Sequence, residues 1–404
     1  MNKPMSLLDF TPEAAAEPAP ASRRLASVDI LRGGVMVLMV LDHVRDYLHS
    51  QAFLFDPLDL ERTYPLLFAT RWITHFCAPV FVMLAGVSAW LQFARGKSRP
   101  ELSRFLATRG LWLVLMELTV ISFGWSFGLD FLFLQVIWAI GWSMVALAAL
   151  VWLPWRAVLA VGVVIVAGHN LLDPVRPADV GALAPLWSVL HVPGPILADG
   201  QLLGFVAYPV LPWIGVMALG FGLGPIFTQA EPRRRLLLCA VGGGMVVLFL
   251  LLRATGLYGD ADGWTSQASP ARTVMDFLST TKYPPSLLYA CMTLGPALLL
   301  LPLLEKLKGR WAEPWATFGA VPFFFYIAHI YVVHALSALA SLATGYPVWG
   351  LDDIFRNFQV LQGFGFPLPV VYGVWLAVTA ALYLPCRWFA GVKRRNPGGV
   401  LSYF

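Results

Sequence analysis

Apolar residues run along this chain in long blocks separated by Gly, Pro and charged residues. The blocks match a bilayer crossing, for which a helix needs about 20 residues at a rise of about 1.5 Å each. Ten helices are expected, over residues 27–48, 72–94, 105–124, 131–152, 157–172, 205–227, 236–253, 286–304, 316–340 and 368–390. Runs such as Val145 to Leu153 are apolar without interruption, whereas a barrel strand alternates over about ten positions. The fold class is therefore all-α, a polytopic transmembrane helical bundle. Three longer connections, 49–71, 173–204 and 254–285, carry Pro, Trp and Tyr in place of linker composition and predict a folded outer cap.

Composition agrees with this pattern. Of 404 residues, 58% are hydrophobic and 13% charged, with a mean hydropathy of +0.70, while soluble domains carry about a quarter charged residues. Soluble, disordered, collagen-like, coiled-coil and disulfide-scaffold readings are excluded. The net charge of +5 resides in short clusters between apolar runs, without interleaved aromatic platforms, so no nucleic-acid partner is implied. Arg95, Lys97, Arg99 and Arg104, then Arg233 to Arg235, Lys306, Lys308 and Arg310, and finally Lys393 to Arg395 fall on one side of the ten-span path. The positive-inside rule makes that side cytosolic, with both termini inside and membrane lipids as surroundings. Residues 1–24 read as a flexible cytosolic tail without a removable signal peptide, 25–392 as the transmembrane domain and 393–404 as a basic cytosolic tail.

Cys77, Cys239, Cys291 and Cys386 form no C-x-x-C pair and read as packing residues. No His-x-x-x-His pair and no carboxylate at matching spacing supports a metal, and none is expected. Gly220 to Gly224 and Gly242 to Gly244 lie inside apolar helices and read as points of close helix contact. Internal halves of the kind that secondary transporters carry are not evident.

Titratable groups inside a bilayer are costly, which makes each a candidate site. The first helix holds Asp29, Arg32, Asp42, His43, Arg45 and Asp46. Eleven residues at about 100° each bring Arg32 and His43 to within roughly 20° of one face, about 16 Å apart along the axis. They are expected to address one lumen, with Asp29 holding Arg32, and Asp46 and Tyr47 orienting His43. The alternative is that Asp29 and Arg32 anchor the interface and His43 is a solvated residue at the helix end. Gly33 and Gly34 allow something to approach the backbone closely. Arg71 and His75 share a face of the second helix, where Pro79 permits a break that frees a backbone carbonyl; here too interface anchoring and packing are the alternative. His49 and His329 extend a set of histidines at or beyond mid-membrane, and imidazole suits acid–base work near neutral pH. His329 and His334, five residues apart, point about 140° away from each other, so at most one readily joins the others. Glu117 reads as a buried partner for an Arg or Tyr of another helix.

Ser27-Val-Asp29-Ile-Leu-Arg32-Gly33-Gly and Phe76-Cys-Ala-Pro79-Val-Phe81-Val-Met-Leu-Ala-Gly86 resemble the bacterial branch of the heparan-α-glucosaminide N-acetyltransferase catalytic-domain family. Lys282-Tyr-Pro-Pro-Ser-Leu-Leu and Phe318-Gly-Ala-Val-Pro-Phe-Phe-Phe-Tyr-Ile-Ala-His329 look like the same branch. Arg32, ten intervening residues and His43 are also similar to the R-x10-H motif of the related acyltransferase-3 membrane family. In the heparan-acetylating relatives the active His lies in the outer loop after the first helix, where this chain has His49.

The resemblance implies transfer of an acetyl group from cytosolic acetyl-CoA to an amine or hydroxyl of a glycan or glycolipid outside the cytoplasmic membrane. His43 and His75, with Asp42 and Asp46, are then the catalytic candidates. Arg32 and Asp29 are candidates for holding the donor, and Arg71, His49 and His329 for the acceptor. A transporter or a lipid- or polyprenol-binding protein of the same fold is the competing reading.

Overall fold

Proline and capping residues set where the helices of this chain begin. The computed structural model describes residues 25–396, with Gly399 and Leu401. The tail expected at 1–24 and half of the basic tail expected at 393–404 lie outside the described residues. The first half comprises α1 (Ala26–Leu48), α2 (Pro65–Thr74), α3 (Cys77–Ala94), α4 (Arg99–Met116), α5 (Ser122–Ser126), β1 (Leu132–Leu134), α6 (Val136–Leu150) and α7 (Trp155–Gly168). Then come α8 (Ala184–Leu190), β2 (Gly194–Ala198), β3 (Gln201–Val206), α9 (Val210–Phe227) and α10 (Glu231–Thr255). The chain continues through α11 (Pro270–Leu278), α12 (Leu287–Leu304), α13 (Glu313–Ala320), α14 (Pro322–Thr344), α15 (Leu351–Asn357) and α16 (Leu368–Arg395). Pro65, Pro100, Pro232, Pro322 and Pro369 occupy first-turn positions, where the missing N–H costs no helical bond. Ser98 and Glu101 close a capping box at the start of α4.

Among the described residues, eight helical segments are long and apolar enough to cross a membrane. Together with α1, which is as long but charged, and the shorter apolar α6, they account for the ten expected spans. Two spans are broken rather than continuous, and proline explains both. Pro322 splits the expected helix 316–340 into α13 and α14, with Val321 at φ −131° between them. Pro79 cannot share a helical turn with the carbonyl four residues before it, so α2 and α3 part at His75–Phe76. The freed carbonyl is that of His75, and the Tyr289 hydroxyl donates to it at 2.7 Å.

α1 runs through the centre of the bundle, packed against α3, α12, α13, α14 and α16. A Cβ on Gly33 would overlap the Trp315 carbonyl oxygen, and one on Gly319 would overlap that of Asp29. The close approach expected at Gly33 is thus made by the backbone of α13. Gly86 and Gly220 fit α3 to α9 in the same way, while Gly243 and Gly244 meet nothing. α10 and α16 are largely exposed, as lipid-facing helices are, and α9 and α12 are largely interior.

The long connections meet at one end of the bundle and form the cap. A three-stranded sheet in the order β1-β3-β2, which the helical reading of the sequence did not anticipate, lies in it. β2 and β3 are an antiparallel hairpin turning at Asp199–Gly200, both at positive φ, as a two-residue hairpin turn requires. The connection after α10 is gathered by Arg253, 2% exposed, which donates to the carbonyls of Asp262, Asp276, Phe277 and Ser279.

Candidate active site

The polar residues of α1 separate into a lower and an upper group. Near the base, opposite the cap, Arg32 donates to Asp29 at 3.1 Å, to the Gly319 carbonyl at 3.2 Å and to Ser88 Oγ at 2.9 Å. The expected Asp29–Arg32 pair is therefore present. Arg32 faces a cavity of about 240 Å³ otherwise lined chiefly by apolar side chains, among them Met36, Met39, Phe81, Phe105 and Phe323. This channel shares Gln92, Phe105, Ala320 and Lys393 with a wider cleft at the base, of about 930 Å³, where Lys97, Arg387 and Arg394 also lie. The result is an apolar shaft with a basic mouth.

At the cap end, Asp42 is the hub of an ion network. Arg71 contacts both its carboxylate oxygens, at 2.9 and 2.8 Å, and Arg45 and Thr74 donate to Oδ1 at 3.0 and 2.9 Å. Arg45 also bonds Asp46 at 2.5 Å. Charge-assisted hydrogen bonds from two guanidinium groups to two carboxylates make this a stiff arrangement. The network walls a second cavity of about 590 Å³, to which His43, Trp125, Tyr208, Lys282 and Tyr283 also contribute.

His43 lines the cap cavity, and its ring lies 6.3 Å from that of Tyr326, which lines the shaft. Its Nδ1 lies 2.7 Å from His329 Nε2, with the rings stacked at 4.9 Å. His329, fully buried, places its own Nδ1 2.8 Å from the Phe325 carbonyl oxygen. A carbonyl only accepts, so His329 Nδ1 carries a hydrogen. With both rings neutral, His329 Nε2 must then accept from His43 Nδ1–H, which leaves His43 Nε2 as the unprotonated nitrogen. Trp125 and Tyr326 stand edge-on to the His43 ring, at 4.8 and 6.3 Å. Tyr326 also lines the lower shaft, so it and the histidine pair form the partition.

These positions correct several sequence-based expectations. Arg32 and His43 face two cavities instead of one lumen, with Tyr326 from α14 on the shaft side and its ring 6.3 Å from that of His43. Asp42 and Asp46 are turned to Arg45 and Arg71, and Tyr47 donates to the Trp125 carbonyl at 2.6 Å; the hydrogen-bond partner of His43 is His329. His75 is fully buried beside Tyr289 and lines none of the three cavities. His49 lies just past α1 and accepts from the Gln51 N–H at 3.3 Å, outside all three cavities. Burial, with the Arg45 charge nearby, pushes its imidazole down to about 4. Glu117 accepts from the backbone N–H groups of Gln135 and Trp138 and so caps α6 in place of pairing with another side chain.

His334 keeps apart from the His43 pair, stacked on Phe127 at 3.7 Å. Lys282 and Tyr326 fall in the resemblance segments without a site role expected for them, and Trp125 carries no sequence signal. Lys282 is only 8% exposed, and its place in the Lys282–Tyr283–Pro284 segment is what the sequence offers to find it by.

No curated protein matches the chain. The family model described as heparan-alpha-glucosaminide N-acetyltransferase, catalytic, matches residues 24–253. The matched region covers α1 with Arg32 and His43, the Arg71–Asp42 pair and the cap hairpin, though His329 lies beyond it. With more than half of its length in that match, the chain belongs to the heparan-alpha-glucosaminide N-acetyltransferase catalytic-domain family.

Proposed function

We propose that this protein is an integral membrane acyltransferase that moves an acetyl group from cytosolic acetyl-CoA to an amine or hydroxyl of an extracytoplasmic glycan or glycolipid. The observation that carries the proposal is the His43–His329 pair, with His43 on the polar cap cavity and Tyr326, which lines the basic-mouthed apolar shaft, beside it. Family membership supplies the reaction class, N-acetyl transfer.

The donor enters from the base. Lys97, Arg387, Lys393 and Arg394 suit the phosphates of coenzyme A, and the apolar shaft suits an extended pantetheine arm, with Arg32 able to hydrogen-bond one of its carbonyls. The acceptor occupies the cap cavity, where Asp46 and Lys282 offer hydrogen bonds and Trp125 and Tyr283 offer flat faces to a sugar ring. A small movement of Tyr326 opens the partition and brings the thioester carbonyl to His43. His43 Nε2 takes the proton of the acceptor as its N or O bonds to the acetyl carbon. The C–S bond breaks, and the leaving thiolate recovers that proton from the imidazolium. His329 holds the tautomer, and the Asp42–Arg71–Arg45 network holds α1 and α2 in register beside it.

The test is acetyl transfer by the purified protein from labelled acetyl-CoA to glucosamine-terminated glycans. His43→Ala is expected to lower kcat by about 10²–10⁴-fold, the usual contribution of a positioned acid–base group, with coenzyme A binding retained. Wild-type activity in His43→Ala refutes the role given to His43, and a wild-type protein that binds no coenzyme A refutes the donor.

A further inference from the structure

Away from both cavities, at the cap end of α7, the chain makes a tight helical turn over His169–Leu172 and continues through Asp173 into the cap. It returns at His191, the residue that closes α8. His169, Asp173 and His191 each present one ligand atom there, and these atoms lie within 4.8 Å of one another. Asp173 Oδ1 is 3.1 Å from His191 Nε2, and the imidazole rings stand 5.5 Å apart at 70°.

Burial makes the arrangement unusual. His191 is fully buried and His169 is 3% exposed. Neither nitrogen of His169, nor Nδ1 of His191, is in hydrogen-bond geometry with any described group; the Pro285 carbonyl beside His169 falls short of it. Buried imidazoles are ordinarily satisfied, and leaving three ring nitrogens without partners is unfavourable. The second oxygen of Asp173 accepts from Asn170 Nδ2 at 2.9 Å, the kind of outer hydrogen bond that orients a ligating carboxylate.

We propose that His169, Asp173 and His191 bind a divalent transition-metal ion of the zinc type, which pins the cap segment 173–204 to the end of α7. Two imidazoles in a set of three donors favour zinc over calcium or magnesium, which take oxygen ligands. Donors at about 2.0–2.2 Å from zinc stand about 3.4 Å apart in a tetrahedron. The Asp173–His191 separation is already close to that, and the widest contracts by at most about 1.4 Å as the ion is bound. The fourth position is left to water. Pro193, two residues after His191, lines the cap cavity, as do Lys282 and Tyr283 near Pro285. The ion thereby fixes two walls of that cavity without entering it. Sequence spacing did not suggest a metal because the two histidines come from separate segments.

The test uses the full chain, purified in detergent without a polyhistidine tag, stripped with chelator and reloaded with zinc alone. Metal analysis is expected to find one zinc per chain, with an upward shift in Tm relative to the stripped protein. Asp173→Asn and His169→Gln should each abolish both, while His49→Gln, outside the cluster, should keep both. Cobalt in place of zinc should give the visible absorption of a four-coordinate site in the wild type and in neither cluster variant. A wild-type protein that takes up no zinc, or uptake that survives both cluster variants, overturns the proposal.

Discussion

A neutral imidazole has one donor and one acceptor, and that restriction gives the hydrogen bond between His43 and His329 its meaning. The Phe325 carbonyl fixes the state of His329, and His329 fixes that of His43. His329→Phe removes the orienting acceptor while leaving a ring of similar shape. It should lower kcat about 10²-fold with little change in KM, and move the acidic limb of the kcat/KM pH profile; an unchanged profile would show that His329 only fills space. His49 carries a separate pH signature. Its imidazole is held near 4 in the fold but titrates near 6.5 when unfolded, so the unfolded chain takes up the proton first. Its contribution to stability is complete above about pH 6.5 and is lost as pH falls toward 4. Thermal unfolding between pH 7 and pH 4 should therefore be less pH-dependent in His49→Gln than in the wild type. The cost of charge in a bilayer made Asp29, Arg32, Asp42, His43 and Arg71 legible from sequence. The same cost applies to any buried histidine, so it could not separate His43, on a cavity, from His75, packed beside Tyr289. The pairing of His43 with His329 joins residues 286 positions apart, which no local spacing reveals.

Among the elements, α1 is both the polar spine and a closely packed helix. Gly33 meets the Trp315 carbonyl, whereas Gly34, its neighbour in sequence, meets nothing within 4 Å. The two positions make opposite predictions. Gly33→Val forces α13 away from α1 and should cost about 1–3 kcal/mol, as overpacking does. Gly34→Ala should be neutral or stabilising by up to about 1 kcal/mol from helix propensity. Thermal unfolding in detergent distinguishes them, and equal effects at both sites would argue against the α1–α13 crossing. Element positions were readable because a bilayer demands long apolar helices. The breaks were less so: Pro79 announced one, but Pro322 sits in a run apolar enough to pass for continuous helix. The sheet of the cap was missed because β1 is three residues long and pairs with β3 across α6, α7 and α8. Only the Asp199–Gly200 turn marked the hairpin locally.

For the whole molecule, two compartments lie on either side of the Tyr326–His43 contact. The base offers cations and an apolar shaft, the cap a polar chamber with aromatic walls, and the partition is Tyr326 with the histidine pair. On the proposed function, a bundle with this division joins a donor on one face to an acceptor on the other without carrying either across. The most direct measurement places the protein in sealed proteoliposomes, with labelled acetyl-CoA on the side of the basic mouth and a glycan acceptor confined to the cap side. The account predicts that acetyl appears on the acceptor, that intact coenzyme A does not cross, and that His43→Ala abolishes the transfer. Transfer only when donor and acceptor share a compartment, or transfer that survives His43→Ala, would contradict it.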